Sequence, residues 1–176
     1  VYWASFRVVA YVVPAWLVAH FVLGRSLRSL GLRWDGSWPH VRVYLAMYLL
    51  MLPLVLLAST SGEFQDQYPL YDQGPGEALW PRLLVWEALY FAQFVGLEIF
   101  FRGFVLHGLA RRFGILAIMM MVVPYVAIHF TKPWPEAVGS IVAGTVLGFF
   151  SLRTGAMWWG AALHFGVALT IDLLVL

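Results

Sequence analysis

Hydrophobic residues fall into six runs along the chain, at about 6–24, 41–60, 80–110, 115–130, 136–152 and 156–175, parted by short polar connectors. The runs are continuous rather than alternating, which predicts helices and not the strands of a barrel. A helix needs about 20 mostly apolar residues to cross a bilayer. The 176 residues therefore hold about six crossings and leave no length for a separate soluble domain. Pro14 and Pro53 sit inside the first and second runs, which membrane helices tolerate because neighbours satisfy the freed carbonyls. The third run starts at Pro81 and ends in Arg111, Arg112, Phe113 and Gly114. The expected fold is all-α, a polytopic transmembrane bundle of about six helices forming one domain over 1–176.

Composition agrees with the pattern. The chain is 62% hydrophobic and 11% charged, with a mean hydropathy of +0.81; a soluble domain runs near 45–50% apolar and about 25% charged. High hydrophobicity excludes a disordered chain, and the absence of cysteine excludes a disulfide framework. The net charge of +2 does not point to nucleic acid, because no Lys/Arg run is interleaved with aromatics. The placement of charge matters more. Connector one holds Arg25, Arg28, Arg33 and Arg42, connector three Arg111 and Arg112, connector five Arg153. Connector two holds Glu63, Asp66, Asp72 and Glu77 and no base, and connector four holds Lys132 and Glu136. The positive-inside rule then puts connectors one, three and five in the cytoplasm and the acidic connector outside. Trp34, Trp38, Trp80, Trp134, Trp158 and Trp159 fall near predicted helix ends, as an interfacial aromatic belt does. Ser140, Gly144 and Gly148 repeat every four residues on the fifth helix, a face that lets two backbones approach closely. The chain opens on Val1 rather than Met, as a domain of a longer protein would.

Ionisable residues inside the runs carry the functional signal, since each costs roughly 2.5–3.5 kcal/mol at a helix centre. They are Glu87, Glu98 with Arg102, His129, His164 and, nearer the C-terminal end, Asp172. Four residues separate Glu98 from Arg102, so the two share a helix face. Glu87 lies eleven residues before Glu98, about three turns away on the same face. His129 stands near the end of the fourth run, before Pro133 and Pro135 break the helix, and His164 lies deep in the sixth. His20, His40 and His107 read as ordinary structural histidines. A carboxylate with two imidazoles has the parts to deprotonate a water, orient it and stabilise an oxyanion. The same trio, Glu98, His129 and His164, also has the donor types for Zn²⁺ with an open position. Burial pushes a carboxyl pKa up and a neighbouring guanidinium pushes it down, so a base near working pH is within reach.

These residues resemble the CPBP family of intramembrane proteases, which includes Rce1-like CAAX-processing enzymes and bacterial relatives. The family pattern is Glu-Glu-x-x-x-Arg in one helix, aromatic-x-x-x-His in the next and a later His-x-x-x-Asn or small residue. Here it reads Leu97-Glu98-x-x-x-Arg102, then Tyr125-x-x-x-His129, then His164-x-x-x-Ala168, with Leu30-Gly31-Leu32-Arg33 as a further family-like segment. The resemblance covers the core at about 80–176. It implies hydrolysis of a peptide bond within the membrane, with a glutamate activating water and the histidines assisting, on a membrane-associated or lipidated protein or peptide. It also implies an integral protein of the bacterial inner membrane whose partners are that substrate and the lipid bilayer, and no cofactor, zinc being the alternative.

Two departures leave two readings. Leu97 stands where the family usually has its first Glu, and Ala168 where an Asn often stands. Either Glu98 has taken the role of base, with Arg102 orienting it and Asp172 and Glu87 as polar support, or the chain is an inactive scaffold or immunity protein. A small transporter or proton relay using Glu87, Glu98 and the histidines lacks an inverted repeat or a broken helix. A rhomboid-type serine protease lacks the Gly-x-Ser-Gly elbow.

Overall fold

The structure, a computed structural model, describes residues 2–33, 38–71, 74, 76 and 78–175. Trp34 of the expected belt, and Asp72 and Glu77 of the acidic connector, lie outside the described residues. Seven helices follow in order: α1 (Tyr2–Val22), α2 (Trp38–Ser59), α3 (Gly62–Gln67), α4 (Arg82–Phe113), α5 (Leu116–Ala127), α6 (Trp134–Thr154) and α7 (Trp158–Val175). No strand occurs among the described residues. Five helices, α1, α2, α4, α6 and α7, are long and apolar enough to cross a membrane. α5 is the sixth apolar helix, and its 12 residues span about 18 Å against about 30 Å of hydrocarbon.

α4 is the axis. It packs against α1 on one side and α7 on another, while α2 covers α7 and α5 pairs with α6. The apolar core joins Leu97, Phe101 and Leu106 of α4 to Ile118, Met121, Val122 and Tyr125 of α5. The small face of α6 is used for close packing, as its spacing predicts: a Cβ on Gly144 would stand 2.9 Å from Tyr125 Cδ1, and one on Gly148 3.1 Å from Met121 Cε. α2 is tied to α7 by Tyr48, whose hydroxyl donates to Thr170 Oγ1 at 2.7 Å while Thr170 donates to the Gly166 carbonyl.

Both connectors flanking α2 fold back on the bundle. At the basic end, the turn Leu27–Leu30 lays the Leu30 carbonyl against α4 at Gly103, where a Cβ would meet that oxygen at 2.9 Å. Gly31 takes φ +87°, accepts the Met157 N–H at 3.2 Å and leaves His107 beside it; His107 Nε2 lies 3.1 Å from Ser151 Oγ, a structural role. Arg33 closes over Gly155. The segment Leu30–Arg33 is thus a plug between α4 and the α6–α7 hinge. At the acidic end, Ser61 caps α3 by accepting the Phe64 N–H, and the strap 61–71 is fastened at four points. Glu63 accepts the Trp134 N–H at 2.9 Å, Tyr68 donates to Glu136 Oε2 at 2.6 Å, Lys132 donates to the Tyr68 hydroxyl at 2.9 Å, and the Leu70 N–H donates to Asp172 Oδ1 at 3.3 Å. Burial, with the Glu136 carboxylate beside it, holds the Tyr68 phenol far above its ordinary range, and burial pulls the Lys132 ammonium below its own. Trp38, Trp80 and Trp134 are exposed at helix ends, where a belt requires them.

Candidate active site

Glu98 is the last residue of the regular part of α4, and from Ile99 to Leu106 the helix continues as a π-helix. Such widened turns are rare and gather at functional sites. Near 4.4 residues per turn, a spacing of four residues brings two side chains closer to eclipsed than the 3.6-residue turn does. Arg102 accordingly stands over Glu98. Both are wholly buried, with Nη1 of Arg102 2.9 Å from Oε1 of Glu98 as an ion pair that falls outside hydrogen-bond alignment.

The histidines arrive from two other helices. His164, eighteen per cent exposed, points from α7 with Nδ1 3.3 Å from the same Glu98 Oε1. With Glu98 ionised, Nδ1 carries the proton and donates it. Phe94 lies against this ring at 4.5 Å. His129 follows the end of α5. There the last turn tightens: His129 N–H reaches the Val126 carbonyl, so the Tyr125 carbonyl lacks its usual partner four residues on. The imidazole supplies one, with Nδ1 2.8 Å from Tyr125 O. A carbonyl only accepts, so Nδ1 is the protonated nitrogen and Nε2 keeps its lone pair. The two imidazoles lie nearly parallel, 6.4 Å apart.

Glu98 Oε2 is the free end of this assembly. It is buried and has no hydrogen-bond partner among the described residues. Gly160 of α7 faces it, and a Cβ there would stand 3.3 Å from Oε2. A carboxylate with one oxygen engaged by Arg102 and His164 and the other without a hydrogen-bond partner among the described residues is equipped to take a proton from a small polar molecule.

Of the residues picked from the sequence, Glu98, Arg102, His129 and His164 are brought together. Glu87 and Asp172 are not. Asp172 lies eight residues beyond His164, about 12 Å along the helix, and holds the strap through Leu70. Glu87 lies near Asp172 and feels its charge. Between this outer tier and the site lies an apolar layer of Tyr90, Phe94 and Ala168, with Leu70 packed on it. Leu97 joins the apolar core. Gly160 carries no signal in the sequence. Tyr125 stands in the motif, but only the fold gives it contacts. As for zinc, no three His, Asp or Glu side chains among the described residues are grouped to hold a metal ion, and the Arg102 guanidinium occupies one face of Glu98.

The Type II CAAX prenyl endopeptidase Rce1-like family matches residues 79–170, just over half of the chain and all of the residues that meet at Glu98 on α4, α5 and α7. The chain belongs to this family. It is an integral membrane protein of a protease family whose members work on membrane-associated substrates. No curated protein and no solved structure matches it.

Proposed function

We propose that the chain is an intramembrane endopeptidase that hydrolyses a peptide bond of a membrane-associated or lipidated substrate through water activated by Glu98, without a metal. The observation that carries this reading is the buried, unpartnered Oε2 of Glu98 opposite Gly160. A water held at Oε2 gives its proton to that oxygen as its own oxygen attacks the scissile carbonyl carbon. His129 Nε2, held as an acceptor by the Tyr125 carbonyl, orients the water. His164 and Arg102 fix Oε1 and place positive charge beside the oxyanion. Collapse of the tetrahedral intermediate breaks the C–N bond, and the proton on Oε2 passes to the leaving nitrogen.

The test is cleavage of farnesylated CAAX peptides and other membrane-anchored peptides by the reconstituted protein. Glu98→Gln is the variant of choice, because removing one partner of a buried ion pair outright costs about 3–5 kcal/mol. We expect Glu98→Gln and His164→Ala to lower kcat by about 10²-fold or more, and a strong chelator to leave wild-type cleavage intact. Undiminished cleavage in Glu98→Gln would sink the assignment, and loss to chelation would restore the zinc alternative. The apolar setting of Leu97 and Ala168 favours a second reading, a non-enzymatic scaffold or immunity partner. That reading predicts no cleavage and a wild-type phenotype for Glu98→Gln in cells.

A further inference from the structure

Tyr125 lies against Arg102 and both histidines of the site. It is 1% exposed. The Arg102 guanidinium carbon lies 4.1 Å from its ring centroid, and the ring stands 4.7 Å from His129 and 6.2 Å from His164. Its carbonyl takes the His129 Nδ1 proton at 2.8 Å. Its far side is wedged against Gly144 of α6, with no room for a Cβ. A guanidinium and a carboxylate left alone in a buried space close into a two-pronged pair. Here Nη1 stands 2.9 Å from Oε1, Oε2 has no hydrogen-bond partner among the described residues, and the ring lies against the face of the cation.

We propose that Tyr125 is the positioning residue of the site, holding Arg102 on one oxygen of Glu98 so that the other stays free for water. The inference rests on the reading of Glu98 as the base. Glu98 is met by Arg102 from its own helix and by His164 from α7, and Tyr125 of α5 lies on Arg102. Tyr125 is the one that can set how Arg102 engages it. The role belongs to the aromatic face, so Phe serves and Leu does not.

The test compares Tyr125→Phe and Tyr125→Leu with wild type in two measurements. The first needs no substrate. The infrared carboxylate stretch of Glu98, assigned as the band lost in Glu98→Gln, reports whether one or both oxygens are engaged. It stays in place in Tyr125→Phe and is displaced in Tyr125→Leu. The second is cleavage of a farnesylated CAAX peptide. Tyr125→Leu lowers kcat about 10²-fold, as misplacing a reacting group does, with KM within twofold, and Tyr125→Phe recovers to within about threefold of wild type. If Tyr125→Leu fails to fold, Gly144→Ala decides. Its Cβ would press Tyr125 Cδ1 from 2.9 Å and displaces the same band by tilting the ring. An unmoved band in whichever of Tyr125→Leu and Gly144→Ala is folded overturns the proposal, as does a band displaced equally in Tyr125→Phe and Tyr125→Leu. A wild type that cleaves no peptide removes the proteolytic reading and leaves the infrared test standing.

Discussion

Gly160 has no side chain, and that is its contribution. A methyl group there would stand 3.3 Å from Glu98 Oε2 and crowd the oxygen that is to take the proton. We expect Gly160→Ala to lower kcat at least tenfold while shifting the melting temperature little, because only the side chain of Glu98 lies that close; a melting temperature that falls in step with activity would make it a packing residue. Gly103 makes the contrast. Its added Cβ would meet the backbone oxygen of Leu30 at 2.9 Å, which has no rotamer with which to yield. Overpacking of this kind costs about 1–3 kcal/mol, so Gly103→Ala should lower the melting temperature and release the Leu30–Arg33 plug. An unchanged melting temperature would show that the plug moves freely.

At the scale of the element, the strap 61–71 is held by side chains from three neighbours, and Asp172 is one of its fastenings. It carries Leu70 onto the apolar layer of Tyr90, Phe94 and Ala168 that lies over the site. The chain has no cysteine, so Ala168→Cys gives a single thiol, buried within the layer and under Leu70. Its labelling by a water-soluble maleimide should be slow and should rise at least tenfold when Asp172→Ala frees the Leu70 N–H. Equal labelling in the two backgrounds would mean that packing alone holds the strap. The π-helical stretch Ile99–Leu106 is the second element of consequence. An i, i+4 spacing predicts a shared face for Glu98 and Arg102, and that expectation holds; the widening that brings Arg102 over Glu98 has no mark in the residues themselves. α5 ends two residues before His129, which is why the imidazole, and not an amide, meets the Tyr125 carbonyl.

In the whole molecule, polar groups form two tiers parted by apolar rings. The inner tier is Glu98, Arg102, His129 and His164, and the outer one is Glu87, Asp172, Lys132, Tyr68 and Glu136. The charge pattern of the connectors sets which end faces which side. Asp66 and Arg111 are both exposed, near opposite ends of the bundle. An impermeant thiol reagent should label Asp66→Cys on intact cells and Arg111→Cys only after permeabilisation; the reverse would invert the topology. Much of this architecture is legible in the chain. The runs of apolar residues determine the helices and their order, since nothing but a helix satisfies its own backbone in lipid. The cost of charge in that medium singles out Glu98, Arg102, His129 and His164 without any structure. The same cost also singles out Glu87 and Asp172, because a sequence prices burial and not company. Only the tertiary structure decides which costly groups meet: helix phase and packing set Arg102 and His164 on Glu98, with His129 6.4 Å from His164, and leave Asp172 to hold the strap. It alone gives Gly160 its close approach to Glu98 and Tyr125 its neighbours, since contacts between α4, α5 and α7 depend on how three helices pack and not on any spacing within one.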